Sequence, residues 1–209
     1  MRTHVLQRTP RFLKKPQSWQ KELIKNACLR KVNVGDVRMK AYMGLTCDPE
    51  NYESVLKKLV FRMFVDPKDM YLLSGPFDIL IEFNGLRNLK EFVEKWFNPL
   101  RMMGEDAELI TKILSLIVIS ESAILPEKPS AFVFMNARPR SLEKVRASLL
   151  TLPEVLSAGS VIGPFDLISS VKTKNNSDLE RVVSIIENIP GVENSTASQV
   201  AAASIFPEW

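Results

Sequence analysis

Histidine is nearly missing from this chain: His4 is the only one in 209 residues. That leaves no imidazole ligand set for a metal and no imidazole base outside the first few residues. Cysteine is scarce as well. Cys28 and Cys47 are too few for a disulfide framework and lack metal-ligand spacing, so two free thiols in a reducing compartment is the plain reading. The 8 glycines form no phosphate-cradling loop. Long apolar runs are absent too: the most apolar segment, Ile113 to Ile119, follows Lys112 and is far too short to cross a bilayer. The basic N-terminus has no apolar stretch of the secretory kind. A cytoplasmic protein is expected, with no metal, no cofactor and no membrane partner.

What is present is charge in one place and a repeat in another. Residues 1–40 hold 11 Lys and Arg against Glu22 and Asp36, a net of +9, while the remainder nets −5. The basic character therefore belongs to an N-terminal arm. Arg8, Arg11, Lys14 and Lys15 are its candidate nucleic-acid contacts, with Phe12 and Trp19 available for stacking. The alternative is a solvated tail ahead of a short amphipathic helix, Gln17 to Lys31, on which Trp19, Leu23 and Ala27 share a face.

The tetrapeptide Gly75-Pro76-Phe77-Asp78 returns as Gly163-Pro164-Phe165-Asp166, 88 residues later. Around it, Ala41-Tyr42 to Val55 lies over Ala131-Phe132 to Val145 at an offset of 90, which recurs at Leu89 and Leu179. A period broken only by small loop changes predicts two copies of one folding unit. Domain limits follow: an arm and helix over 1–36, a first unit over 37–125, and a second over 130–209, joined through Leu125 to Pro129.

Each unit reads strand-helix-strand-strand-helix-strand. In the first, strands are predicted over 37–47, 64–74, 77–83 and 110–120. Helices follow Asp48-Pro49 and Asn88, both good N-terminal signals, and the stretch Asn98 to Glu108 is extra. The second is predicted as strands 131–137, 155–162, 165–172 and 193–202 with helices 141–152 and 177–189. This order is the split βαβ, ferredoxin-like arrangement, an α+β fold with helices on one sheet face. The bare face cannot stay wet, because Ile79-Leu80-Ile81 and Leu116-Ile117-Val118-Ile119 are apolar at consecutive positions. The two units are therefore expected to pack sheet to sheet, as a barrel-like pseudo-dimer.

Four landmarks of the second unit carry a resemblance. Ala131-Phe132-Val133 opens the first strand and Pro153-Glu154-Val155 precedes the second. Gly163-Pro164-Phe165-Asp166-Leu167 forms the turn, and Ile189-Pro190-Gly191-Val192 precedes the last strand. Together they resemble the effector-binding (RAM) domain of the Lrp/AsnC transcription regulators. The first unit resembles it less closely, since Asn98 to Glu108 replaces the Pro-Gly-Val step. The resemblance implies sheet-facing dimers that build larger homo-oligomers or assemblies with Lrp/AsnC-type regulators. It also implies a small effector, usually an amino acid, near the Gly-x-x-Asp turn and last strand: Gly75, Asp78, Gly163, Asp166 and Ser195. The chain departs from the family in having Ala197 where a threonine is usual, and in having 36 residues, with one helix, where a helix-turn-helix would stand. The implied function is an effector-type regulatory module without its own DNA reader.

Two readings of the turns stand side by side. Gly and Asp there satisfy turn geometry alone, with Asp bonding local amides; or the amides hold an α-carboxylate while Asp attracts an ammonium group. Paired ferredoxin-like domains also include oxygenases and decarboxylases that use histidine. With only His4, and with Glu82, Glu121 and Asp166 too scattered to pair, the chain is expected not to be an enzyme; an α+β barrel enzyme is the least favoured alternative.

Overall fold

A computed structural model describes residues 38–107, 109–123 and 127–201. The arm, including Arg8, Arg11, Lys14 and Lys15, its expected helix and Cys28 lie outside the described residues. Strands β1 (Met39–Cys47), β2 (Met70–Ser74), β3 (Ile79–Leu86) and β4 (Ile110–Ala123) form the first half. The second half holds β5 (Ala131–Ala137), β6 (Val155–Ile162), β7 (Leu167–Val171) and β8 (Val192–Val200). All neighbours are antiparallel, and the eight strands close into a barrel in the order β1-β3-β2-β8-β5-β7-β6-β4. Closure pairs each described strand with a neighbour on both sides for at least part of its length, which shortens the sheet edges left open. The two seams between halves are unequal. Ile117 to Ala123 runs along Ser157 to Ile162, whereas β2 meets β8 only at Leu73↔Val200 and Ser74↔Gln199.

Helices α1 (Tyr52–Phe61), α3 (Leu142–Leu149) and α4 (Asn176–Glu187) cover the outer face. So does α2, which runs through Leu89–Phe92, a π-helical turn Val93–Phe97, and Asn98–Ala107. The same caps start α2 and α4. Asn88 Oδ1 accepts from Glu91 N–H at 2.9 Å and Asn175 Oδ1 from Asp178 N–H at 2.9 Å. Glu91 and Asp178 then return a carboxylate oxygen to the N–H groups of Arg87 and Lys174. At α1 the expectation fails in detail: Asp48 makes no side-chain cap, and Pro49–Asn51 forms a tight 3-10 turn before the helix begins. The extra stretch Asn98 to Glu108 proves to be helix as far as Ala107, with Leu100 fully buried under it. The second strand starts later than expected, at Met70, because Asp66 Oδ1 takes the Lys68 N–H and turns the chain at Pro67–Asp69.

Three apolar layers result. Met43, Leu45, Leu59, Ile79 and Ile81 pack under the helices of the first half, and Val133, Met135, Val145, Leu167 and Val182 under those of the second. A third cluster fills the barrel: Tyr42, Phe77, Leu80, Leu116, Phe132, Phe134, Val161 and Ile168. Alternation along each strand assigns its residues to inside or outside. Leu116 and Val118 point in, Ile117 packs toward the helices, and Ile119 stays 64% exposed, so the four-residue apolar run is covered on three positions rather than four. Among the described residues no helix is long and apolar enough to cross a membrane.

Candidate functional site at the turns and the barrel mouth

The two repeated turns make the same bonds. Asp78 N–H donates to Leu45 O at 2.9 Å, and Asp78 Oδ2 accepts from Cys47 N–H at 2.8 Å. Asp166 N–H donates to Met135 O at 2.9 Å, and Asp166 Oδ2 accepts from Ala137 N–H at 3.0 Å. Each aspartate thus ties a β-turn to the end of the half's first strand, which is the purely structural use of the residue. Asp78 also shapes its surroundings. Burial first, then the Asp78 charge, pushes the Cys47 thiol up to about 11, so it stays protonated and unreactive near neutral pH.

Gly75 and Gly163 sit at the seams. Gly75 has φ +154°, and a Cβ there would lie 2.7 Å from Ser198 Oγ and 3.2 Å from Ala197 O on β8. A Cβ on Gly163 would lie 2.7 Å from Ser115 O on β4. Each glycine lets the turn of one half lie against the last strand of the other. Ser195 stands apart from this contact. It pairs with Met135 across β5–β8, and its hydroxyl donates to Glu187 Oε1 at 3.1 Å, out toward α4.

A second site was invisible along the chain. At one end of the barrel, Lys40 on β1 places Nζ 2.9 Å from Glu82 Oε1 on β3 and 2.9 Å from Glu121 Oε2 on β4. Tyr71 OH donates to Glu82 Oε2 at 3.2 Å, Tyr42 OH to Glu121 Oε1 at 3.4 Å, and Asn84 Nδ2 to Glu82 Oε1 at 2.9 Å. Glu82 and Glu121, distant in sequence, share one ammonium group, contrary to the expectation that they are too scattered to pair; Asp166, the third of that trio, bonds at the turn instead. These side chains are only 16–20% exposed. Burial works to raise the Glu82 carboxyl, but the Lys40 charge and the hydrogen bonds from Lys40, Asn84 and Tyr71 outweigh it and hold it below the ordinary glutamate range. Tyr42 and Tyr71 move the other way, well above an ordinary phenol, through burial and the neighbouring carboxylates. The second half completes the opposite wall with Phe132, Leu156, Ser157 and Ser170, whose two hydroxyls lie 2.7 Å apart, around a cavity of about 190 Å³. Among the described residues no three His, Cys, Asp or Glu side chains are grouped to hold a metal.

With that geometry in place, part of the chain is similar in sequence to known regulators. Residues 130–204 match the Lrp/AsnC ligand binding domain. A 65-residue stretch is 28% identical to the HTH-type transcriptional regulator FL11 of Pyrococcus horikoshii, covering 31% of this chain and 43% of that regulator. The FL11 of Pyrococcus abyssi matches at 26% over the same length. The chain thus spans less than half the length of the curated regulators it matches. Across the whole barrel, the siroheme decarboxylase NirDL has a similar fold: TM-score 0.57, 8% identity, 86% of this chain and 81% of that one. A second structure of NirDL, in co-complex with an iron-uroporphyrin III analogue, gives 0.56 and 9%.

The expectation that the chain is not an enzyme is corrected by this result. The fold, followed over most of the chain, is one that a decarboxylase uses, and having His4 as its one histidine does not exclude acid/base chemistry in a barrel that brings Glu82, Glu121, Tyr42 and Tyr71 together. At 8% identity the likeness shows the fold alone.

Proposed function

We propose that the chain is a regulatory module of Lrp/AsnC type, acting in the cytoplasm: two related ferredoxin-like units, over about 37–125 and 130–209, closed on each other as an internal pseudo-dimer. The observation that carries the reading is the match of residues 130–204 to a ligand-binding domain of transcription regulators. Support for the tandem origin comes from the duplicated bonds of Asp78 and Asp166 and the duplicated caps of Asn88 and Asn175. The effector is an amino-acid-sized molecule held at the turn and last strand of the second unit, near Gly163, Asp166 and Ser195, with Gly75 and Asp78 as the counterpart in the first. Regulation then proceeds through assembly, with copies of the chain or with Lrp/AsnC-type regulators that carry a helix-turn-helix.

Sedimentation of the full chain, alone and mixed with such a regulator, across a panel of amino acids tests this. The expected result is a changed assembly with one or a few of them; identical profiles with every compound, alone and mixed, would sink it. A second reading rests on the net +9 of residues 1–40: nucleic acid bound through Arg8, Arg11, Lys14 and Lys15. It requires duplex or single-strand binding that falls steeply with salt and is lost when these four become alanine.

A further inference from the structure

We propose that the barrel mouth binds a small organic ammonium ion, a primary amine with an apolar body, whose charged end meets Glu82 and Glu121 while its body lies against Tyr71 and Phe132. This goes beyond the regulatory reading and concerns a different place. None of Gly75, Asp78, Gly163, Asp166 or Ser195 lines this cavity.

The fold does not need charge there. Tyr42 pairs with Glu82 in β1–β3, and the matching pair in β5–β7 is Phe132 with Ser170. The second half thus closes the same backbone register with a phenyl ring and a hydroxyl. Holding Lys40, Glu82 and Glu121 four-fifths out of water costs desolvation that the neutral solution avoids. The space between the two walls is about 190 Å³, room for about six waters at ~30 Å³ each. A small ligand fits where they stand.

The hydrogen-bond inventory selects a cation. All three Lys40 N–H bonds have acceptors, at Glu82 Oε1, Glu121 Oε1 and Glu121 Oε2. Both tyrosine hydroxyls donate to carboxylates. An anion entering the cavity would find those donors taken and only the Ser157–Ser170 pair left. A donor, by contrast, finds carboxylate and phenol oxygens with lone pairs to spare. Counting Glu127 at the rim, the lining carries one positive and three negative charges. The apolar part has its own surface. Phe132 receives the rings of Tyr42 and Tyr71 at 6.2 and 4.9 Å, and Leu156 and Pro129 continue that wall. Aromatic faces near an ammonium add to its binding.

Calorimetric titration of the full chain at low salt tests the site with three matched probes: 2-phenylethylamine, phenylacetate and phenylalanine. The expected result is saturable binding of 2-phenylethylamine, none of phenylacetate, and affinity for the amine weakened tenfold or more by Glu121→Gln. Ala123→Trp, at the rim and outside the charge network, should also block it. Melting curves of both variants without ligand separate loss of the site from loss of the fold. Absence of amine binding in the intact chain overturns the proposal, as does equal binding of phenylacetate or undiminished binding in both folded variants. Phenylalanine binding that survives Glu121→Gln, with no amine binding, would leave the regulatory reading standing and remove this one.

Discussion

Tyr42 and Phe132 occupy the same place in the two halves, and their neighbours diverge. Tyr42 lies between Glu82 and Leu116 across the sheet, Phe132 between Ser170 and Ser198. Two positions further along, the contrast reverses in bulk. Gly44 leaves room for Phe77, whose ring approaches within 2.9 Å of where its Cβ would be, while Phe134 fills the equivalent site and packs on Phe77 and Phe165. Backbone bonds at the turns and caps are alike, so the scaffold and its interior answer to different demands. The first half contributes the charges and fills the space over Gly44 with its own Phe77; the second contributes the Ser157 and Ser170 hydroxyls and Phe134, the ring that packs on Phe77.

The largest test of that complementarity is Phe134→Ala. Phe134 is fully buried between two other rings, and its loss should cost about 3–5 kcal/mol in urea melts. A loss below about 0.5 kcal/mol, the size of a surface change, would mean the halves do not interlock. Next comes Lys40→Met, expected to cost about 2–3 kcal/mol at neutral pH because Glu82 and Glu121 would face each other without their shared cation. Its pH dependence should be inverted. In the intact chain the Glu82 carboxyl sits below its ordinary range, so its stabilisation is present above that range and fades as pH falls. Without Lys40 the burial that raises the Glu82 carboxyl loses its main opponent, its protonated form gains in the folded state, and acidification should recover stability. Melting temperature against pH for the two proteins reads the sign.

A smaller effect, about 1–2 kcal/mol, is expected from Gly163→Ala, where the new Cβ would meet the Ser115 carbonyl and the seam must shift. The longer β4–β6 seam should limit the damage, which differential scanning calorimetry measures; no loss would show the seam to be looser than described. Least is expected from Cys47→Ala under alkali. A thiol raised to about 11 favours the folded state below its ordinary value of 9.0 and withdraws that support as pH climbs between the two. The variant should therefore lose stability less steeply across that interval; parallel slopes would remove the thiol from the account.

The scaffold could be read along the chain because its signals are local. Alternating or continuous apolar runs marked the strands, Asn88 capped the helix that follows it, and the repeated Gly-Pro-Phe-Asp marked both turns, whereas the matching cap at Asn175 came only with the structure. Helix from Asn98 on escaped notice because Pro99 and Gly104 are poor helix residues; the buried Leu100, held against the first half's core, outweighs them. The mouth escaped for another reason. Lys40 and Glu121 are 81 residues apart and share only the closure of the barrel, which no local pattern announces. The feature that could have pointed there was the contrast of Tyr42 and Glu82 with Phe132 and Ser170 at repeat-related positions.

Amide chemical-shift mapping of the full chain, titrated separately with 2-phenylethylamine and with the amino acids, tests most directly whether this barrel is a small-molecule receptor. The amine should move signals of Lys40, Glu82, Glu121 and Ser170, and an effector amino acid those around Gly163, Asp166 and Ser195. Spectra that stay unchanged with every compound would contradict the account at its root.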